Sequence, residues 1–229
     1  MAISLKRTGD VGSVNVRLLV YGFAGAGKTS LIPSLPDPVV FSAEGGLLSI
    51  KDANVPFIEI KTMDDLKEAY QWVTESAEAA QFQSVALDSI SEIAEVVLAS
   101  EKATAKDPRQ AYGALQDVMG SVIRSFRDLP GKHVYFSAKL EKAQDEAGRM
   151  LYAPSMPGNK LAQSLPYYFD ELLALRVEKD AEGKPQRALM CESDGLWSAK
   201  DRSGKLAAWE APDLGAVIAK IVGVGHGEG

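Results

Sequence analysis

The chain has 229 residues and a formal net charge of −6; 46% of its residues are hydrophobic and 24% are charged. These values are typical of a globular protein that buries a sizeable core. They exclude a membrane span, since no apolar window approaches ~18 residues, and the start MAISLKRTGD lacks the apolar region of a secretory signal. We therefore expect a cytoplasmic protein in which the single cysteine, Cys191, is a packed thiol.

Short β-branched runs alternate with longer amphipathic stretches in the first part of the chain. This alternation predicts an α/β fold with a mostly parallel central sheet that is flanked by helices. The predicted strands, which are nearly all apolar as in a sheet covered on both faces, lie at 14–22, 38–43, 56–60, 84–89 and 133–140. The predicted crossover helices lie at 62–80, 91–104 and 109–128.

The pattern changes after residue 140. Residues 141–159 are rich in Gly, Pro and charge, which predicts a mobile loop before a short helix at 160–168. Two alternating runs, DELLALRVEK and RALMCES, are joined by DAEGKPQ and predict an antiparallel C-terminal hairpin. A last helix is predicted at 213–222.

The domain prediction is one unit over residues 1–229. Its core covers about 14–222, preceded by a short N-terminal extension (1–13) and followed by a flexible tail (223–229).

The segment GFAGAGKTS matches the P-loop pattern G-x-x-x-x-G-K-[ST]. It follows the first predicted strand and is predicted to open a helix. Backbone N–H groups of such a loop converge on phosphate oxygens, so the segment predicts a site for ATP. Lys28 would reach the β and γ phosphates, and the Thr29 hydroxyl would ligate Mg²⁺. A glycine-rich turn without a ligand is the alternative. The predicted nucleotide contacts in the loop are Gly22, Phe23, Ala24, Gly25, Ala26, Gly27, Lys28, Thr29 and Ser30.

A second carboxylate for magnesium is predicted at Asp88, which ends the apolar strand VALD. Side chains at the carboxyl ends of parallel strands point into the ligand crevice. The alternative for Asp88 is an ordinary helix N-cap, because Asp88 or Ser89 precedes the next predicted helix.

Hydrolysis also needs a group that orients water against the γ phosphate. Glu44 ends the second strand in VVFSAEGG, and the two glycines after it allow a tight turn. Glu44 is therefore the predicted catalytic base, against the alternative of a solvated loop acid. Glu92 is the competing carboxylate, but its helical position favours solvent or a local partner.

Together, GFAGAGKTS, AEGG, VALDS and SAKLEK resemble the RecA-like ATPase core. The chain is most similar to small phage nucleotide-binding proteins of AAA type, a group that includes phage single-strand annealing ATPases. This resemblance implies a RecA-like P-loop NTPase fold, water activation by Glu44, and sensing of the γ phosphate by Ser137 and Lys139. Recombinases carry a glutamine at the sensor position, and this chain departs from that pattern.

The resemblance also implies two loops along a path for single-stranded DNA, at 101–113 and 141–159. The first loop offers cations and an aromatic ring that could stack on a base: Lys102, Lys106, Arg109 and Tyr112. A solvated loop is the alternative for both stretches.

The segment WSAKDRSG carries Lys200 and Arg202 two residues apart, so both side chains leave the same face of an extended segment. RecA-like hexameric helicases place a K-x-R pair in this region, where it enters the nucleotide site of the neighbouring subunit. The resemblance thus implies a catalytic role for both residues across an interface of a homo-oligomer, either a ring or a filament. A hairpin turn in water is the alternative.

These observations predict an ATP-hydrolysing enzyme that uses Mg²⁺ and acts on single-stranded DNA in phage or bacterial recombination, annealing or repair. Its partners would include a single-stranded DNA-binding protein, and a phage-encoded member would work in the cytoplasm of its host. One alternative is a nucleotide-dependent assembly switch or scaffold. A P-loop kinase of small molecules is the other, although the chain shows no Arg-rich lid.

Overall fold

The computed structural model describes residues 15–223 and contains a ten-stranded sheet with helices on both faces. The strands are β1 Arg17–Gly22, β2 Pro38–Ser42, β3 Phe57–Glu59, β4 Ser84–Asp88, β5 His133–Gln144, β6 Met150–Pro154, β7 Glu171–Lys179, β8 Pro185–Met190, β9 Lys200–Asp201 and β10 Trp209–Glu210. The α-helices are α1 Met63–Glu75, α2 Ile90–Thr104, α3 Pro108–Arg127, α4 Asn159–Tyr168 and α5 Leu214–Val222. Short 3₁₀ segments lie at Thr29–Ser34, Leu47–Ala53 and Glu78–Gln81.

The strand order is β10-β8-β7-β1-β5-β4-β2-β3, with β6 paired to β5 and β9 paired to β7. From β3 to β7 along this order every neighbouring pair is parallel. The pairs β7–β8 and β8–β10 are antiparallel. The predicted α/β fold, with a mostly parallel sheet and an antiparallel C-terminal hairpin, is therefore confirmed.

Alternation along β1 divides the core into two layers. Leu19 and Tyr21 face a layer to which α1, α2, α3 and α4 contribute, while Leu18 and Val20 face a layer made by the first two 3₁₀ segments and α5. All four of these β1 side chains are fully buried. The sheet is thus packed on both faces, and β1, β2 and β4 end at its carboxyl edge, which β5 passes.

Helix starts follow the capping signals of the sequence. Thr62 caps α1 by accepting from the Asp65 N–H at 3.1 Å, and the Asp65 carboxylate accepts from the Thr62 N–H at 2.8 Å. Asp107 caps α3 by accepting from the Arg109 N–H at 2.9 Å. These bonds satisfy N–H groups that have no partner within the helix. Within residues 15–223, no helix combines the length and the apolar character needed to cross a bilayer.

The mobile loop predicted at 141–159 is wrong for most of its length. Residues of β5 and β6 pair from Leu140↔Pro154 to Gln144↔Met150, so the segment is a β-hairpin. Asp145 closes its turn, because its carboxylate accepts the N–H of Ala147 at 2.9 Å and of Arg149 at 2.8 Å. Part of the Gly and charge content that predicted a loop belongs to this turn, residues 145–149, and part lies on the strands themselves.

The helix predicted to follow the P-loop is only the 3₁₀ segment Thr29–Ser34, which contains Pro33 and ends at Leu35. A proline inside a helix removes a donor and clashes with the preceding turn, which limits the segment to this length. The predicted extension 1–13 lies outside the described residues, as do all but the first residue of the predicted tail.

Candidate functional site

The P-loop begins where β1 meets β7, and two of its glycines are required by the backbone. A Cβ on Gly22 would lie 2.8 Å from the carbonyl oxygen of Leu175, so a larger residue would push β1 and β7 apart. Gly27 has a φ of +104°, a conformation that residues with a Cβ rarely adopt. Gly22 is thus required by the close approach of β7, and Gly27 is required by the backbone conformation of the loop.

Lys28 lies folded over this loop. Its Nζ donates to the carbonyl oxygens of Gly22 at 3.1 Å and of Phe23 at 3.2 Å. Burial lowers the pKa of Lys28, while the carboxylates of Glu44 and Asp88 favour its charged form. The ammonium group therefore lies between the loop and two acids, where it can move onto a phosphate without leaving the site.

Asp88 and Thr29 meet at the carboxyl edge of the sheet, although 59 residues separate them in the chain. The Thr29 hydroxyl donates to Oδ2 of Asp88 at 2.8 Å, and the Ser137 hydroxyl donates to Oδ1. Asp88 is only 1% exposed. The N-cap of α2 is Ser89, which accepts from the Glu92 N–H at 3.3 Å, so Asp88 is not used as a cap.

The pairing of Thr29 with Asp88 fits a magnesium ion. Hydroxyl and carboxylate oxygens are ligands that Mg²⁺ prefers, and the ion usually completes its octahedron with waters and substrate phosphates. Both oxygens lie beside the loop that would hold those phosphates. Thr29 and Asp88 are therefore the residues that would hold the ion.

Glu44 lies beside this pair on the loop after β2. The N–H groups of Ala43 and Glu44 donate to the Asp88 carbonyl oxygen at 2.9 and 3.3 Å. A Cβ on Gly46 would lie 4.0 Å from Oγ1 of Thr29. The side chain of Glu44 is exposed to solvent, and its charge acts on Lys28. The structure therefore brings Glu44 to the site, with an open side toward water.

Lys139, the last residue of β5 that pairs with β1, forms an ion pair with Glu92. The hydrogen bond with Glu92 raises the pKa of Lys139, and Glu44 favours the same charged form. The Lys139 N–H also donates to Oγ of Ser91 at 2.9 Å. Of the two predicted sensor positions, Ser137 contacts Asp88 directly, whereas the ammonium of Lys139 is held by Glu92.

Lys200 and Arg202 reach the same short segment, residues 166–170. Lys200 Nζ donates to the carbonyl oxygens of Pro166 and of Phe169, the latter at 2.7 Å. Arg202 Nη1 lies 2.8 Å from a carboxylate oxygen of Asp170. Burial lowers the pKa of Lys200. The two cations therefore share a face, as the spacing predicts, and both have partners in their own subunit.

Strand register separates Lys200 and Arg202 from the P-loop of the same subunit. Lys200 pairs with Leu172, and the neighbouring Glu171 pairs with Leu18 near the start of β1. The P-loop follows the other end of β1, at Gly22. The pair therefore lies away from the P-loop of its own subunit.

An acidic pair holds the turn that contains Arg202. Asp201 accepts from the Ser203 hydroxyl at 2.5 Å and from the N–H groups of Gly204 and Leu206 at 3.0 and 2.9 Å. Glu171 is buried beneath it, and burial together with the Asp201 carboxylate raises the pKa of Glu171 to about 8. The charged turn is thus an ordered structure rather than a loose hairpin end.

The residues predicted to contact DNA lie where α2 ends and α3 begins. Tyr112 is 44% exposed, and Lys102 Nζ lies 5.4 Å from the centre of its ring. Lys106 is exposed in the connection between the helices. Arg109 and Tyr112 line an open cavity of about 380 Å³ whose other wall includes Lys160. The structure therefore brings the first predicted DNA stretch next to residues 157–160, at the end of the second.

Two contacts of the P-loop are absent from the sequence-based prediction. The Tyr135 hydroxyl donates to the Lys28 carbonyl oxygen at 2.9 Å, and Arg187 Nε donates to the Ala26 carbonyl oxygen at 2.8 Å. Tyr135 is one of many apolar strand residues, and Arg187 lies 161 residues from Ala26. No local sequence signal marks either residue, because only strand register brings them to the loop.

A family model described as an AAA domain matches residues 14–203. No curated protein matches the sequence. Among solved structures, a KaiC-like protein from the hyperthermophilic archaeon Pyrococcus horikoshii OT3 is similar, with a TM-score of 0.39, 13% identity and 76% of each chain covered.

Proposed function

The chain belongs to the AAA domain family, and from this premise we propose that it is a Mg²⁺-dependent ATPase that acts on single-stranded DNA as a homo-oligomer. The observation that carries the proposal is the contact between Thr29 and Asp88 beside Lys28, with Glu44 adjoining. This is the set of groups that positions a triphosphate and orients water. The proposed context is phage or bacterial recombination, annealing or repair, alongside a single-stranded DNA-binding protein.

The proposed reaction is attack of water on the γ phosphorus of ATP. One P–O bond forms and the bond to the β–γ bridging oxygen breaks, which releases ADP and phosphate. Glu44 accepts the proton of the attacking water, and Lys28 stabilises negative charge on the phosphoryl oxygens. When bound by Thr29 and Asp88, Mg²⁺ neutralises further charge on the phosphates.

Exposed apolar residues support the proposed assembly. Leu48, on the 3₁₀ segment after the Glu44 loop, is 79% exposed, and Tyr167, beside the partners of Lys200, is 83% exposed. The two belong to elements that pack on opposite faces of the sheet. Two different exposed apolar residues on opposite sides of the subunit suit a head-to-tail contact between copies, and such contacts generate rings or filaments. Such a contact would bring Lys200 and Arg202 toward a neighbouring nucleotide.

We expect Arg202→Ala to lower the ATPase rate about 10³-fold while nucleotide affinity stays near wild type, because an arginine finger acts on charge that develops in the transition state. Lys200→Ala should act in the same direction. Mixing either variant with Glu44→Gln subunits should restore part of the activity, since each subunit supplies what the other lacks. The measurement is the ATPase rate of mixtures at fixed total protein.

Lys205→Ala is the matched control, because Lys205 is an exposed lysine in the same turn. Lys200 also satisfies two carbonyl oxygens of its own subunit, so thermal unfolding of each variant is measured in parallel. If mixtures of well-folded subunits stay inactive, Lys200 and Arg202 do not act on a neighbouring nucleotide, and their contacts with residues 166–170 are structural.

The proposed DNA contact rests on the mixture of cations and an exposed aromatic ring around the cavity at Tyr112. Aromatic faces stack on unpaired bases, and cations track the phosphate backbone. Arg109 and Lys160 border the cavity from α3 and α4. Lys102, in the last turn of α2, lies over the Tyr112 ring, and Lys106 is in the connection between α2 and α3. The net charge of −6 makes this local concentration of positive charge the feature that would attract DNA.

The test of the proposed function is an ATPase assay with and without single-stranded DNA, on protein whose oligomeric state is measured alongside. We expect stimulation that weakens with salt, since neutralised phosphates release counterions. Tyr112→Ala should weaken DNA binding about tenfold or more through lost stacking. Phe57→Ala serves as the control for an exposed aromatic ring, because Phe57 lies on β3 at an edge of the sheet. Turnover that ignores DNA would favour an assembly switch, and phosphate transfer to a small molecule would favour a kinase.

A further inference from the structure

The hairpin of β7 and β8 places an arginine on the phosphate loop of its own subunit. Arg187 pairs with Val177, on the same face as Leu175 and Leu189, which belong to the core layer that also contains Ala26. Its Nε donates to the Ala26 carbonyl oxygen at 2.8 Å. The contact is close enough that a Cβ on residue 27 would lie 3.2 Å from the same nitrogen.

The hairpin that carries this arginine is well ordered at its tip. The Asp180 carboxylate accepts from the N–H groups of Glu182 at 3.1 Å and Lys184 at 2.8 Å, and from the Gln186 side chain at 2.9 Å. At its base, the backbone of Leu175 touches Gly22. The position of Arg187 relative to the loop is therefore set at both ends of the hairpin.

From this contact we propose that Arg187 is a positioning residue, which orients the Ala26–Gly27 peptide so that its N–H faces the phosphates of the bound nucleotide. In a trans peptide the C=O and the N–H point in opposite directions. Holding the Ala26 oxygen on the hairpin side therefore turns the Gly27 N–H away from Arg187. Within residues 15–223 the Gly27 N–H donates no hydrogen bond to protein, so it is available to a ligand.

Without Arg187 the loop has little to hold this orientation. Gly25 and Gly27 both have positive φ values, +75° and +104°, and glycine crosses between such conformations at low cost. Because Gly27 tolerates a wide range of φ, the Ala26–Gly27 peptide can flip its carbonyl oxygen toward the phosphates, where two negative groups would repel. The hydrogen bond from Arg187 to the Ala26 carbonyl oxygen prevents this flip before the nucleotide binds. Preorganisation of this kind raises affinity.

The inference rests on the proposed nucleotide site, and two nearly isosteric variants test it. In Arg187→Gln the side-chain amide nitrogen occupies the position of Nε, so the hydrogen bond is kept and the charge is lost. Arg187→Met places a methyl group at that position and removes the donor. Lys184→Ala, an exposed lysine at the tip of the same hairpin, is the control for charge alone.

We expect Arg187→Met to raise Kd for both ATP and ADP about tenfold, the loss of one charge-assisted hydrogen bond. Arg187→Gln should stay within about threefold of wild type, because the donor is retained. Both variants should unfold, without nucleotide, at the wild-type temperature, and KM should rise in Arg187→Met with kcat nearly unchanged. Titration calorimetry and steady-state ATPase rates give these values.

Three other results would contradict the proposal, and each refutes a different part of it. Equal weakening in Arg187→Gln and Arg187→Met would assign the effect to charge and refute the positioning role. Wild-type affinity in Arg187→Met would refute any role for Arg187 toward the nucleotide. If the wild-type protein binds no better than Lys28→Ala, the proposed nucleotide site itself fails, and this result is distinguishable from the other two.

Discussion

Replacing Lys28 with alanine is expected to lower the rate of ATP hydrolysis by about 10³-fold or more. The ammonium is the only group of the loop that carries a full positive charge, and it lies between the glycine-rich turn, Glu44 and Asp88. Removing one donor aimed at developing charge in a water-poor site costs about 10²–10³ in rate, and Lys28 also binds the ground-state phosphates. The measurement is phosphate release at saturating ATP, together with nucleotide affinity.

Lys67→Ala is the control for this variant, because Lys67 is an exposed lysine on α1 paired only with Asp64. It should leave both turnover and affinity at wild-type values. If Lys28→Ala hydrolyses ATP at nearly the wild-type rate, ATP hydrolysis does not take place at this site.

Replacing Glu44 with glutamine is expected to slow hydrolysis by about 10²–10⁴-fold while ATP still binds, which is the range for loss of a general base. Glutamine keeps the size of the side chain but cannot accept the proton of water. Its neighbours should stay in place, because the loop is held by the backbone bonds of Ala43 and Glu44 to Asp88 rather than by the carboxylate. Single-turnover hydrolysis and nucleotide binding separate the chemical step from affinity.

Glu92→Gln is the matched comparison, since Glu92 is the other carboxylate near this edge and is engaged with Lys139. We expect its loss of rate to be far smaller than that of Glu44→Gln. If the order of the two variants is reversed, the base is Glu92, and the Glu44 loop only shapes the site.

Features that depend on residues close in the sequence were predicted well. The P-loop is nine consecutive residues, and the positive φ values of Gly25 and Gly27 belong to its local turn, although Gly22 is also required by the approach of β7. The strands β2 and β4 were predicted within one residue of their ends, because short buried strands are nearly continuous apolar runs. The contact of Thr29 with Asp88 also follows the rule that parallel strands end at one edge.

Two elements were predicted wrongly from the sequence, because the same residue types are common in more than one kind of structure. Glycine, proline and charge in residues 141–159 predicted a mobile loop, but residues 141–154 form the β5–β6 hairpin and its turn. A helix was predicted after the P-loop because such loops usually open one, whereas Pro33 limits it to a 3₁₀ segment. In both places the structure depends on which backbone N–H and C=O groups find hydrogen-bond partners, and the composition of a short segment does not reveal those partners.

The sequence by itself determined the α/β class, the phosphate loop and the candidate acids, because hydrophobic period, glycine conformations and strand ends are local properties of the chain. Only the tertiary structure decided how distant residues are used. Lys200 is held by carbonyl oxygens at the end of α4, and Arg187 reaches Ala26 across 161 residues. The physical reason is strand register: a shift of one residue turns a side chain to the other face of the sheet, and register is set by packing of the whole sheet.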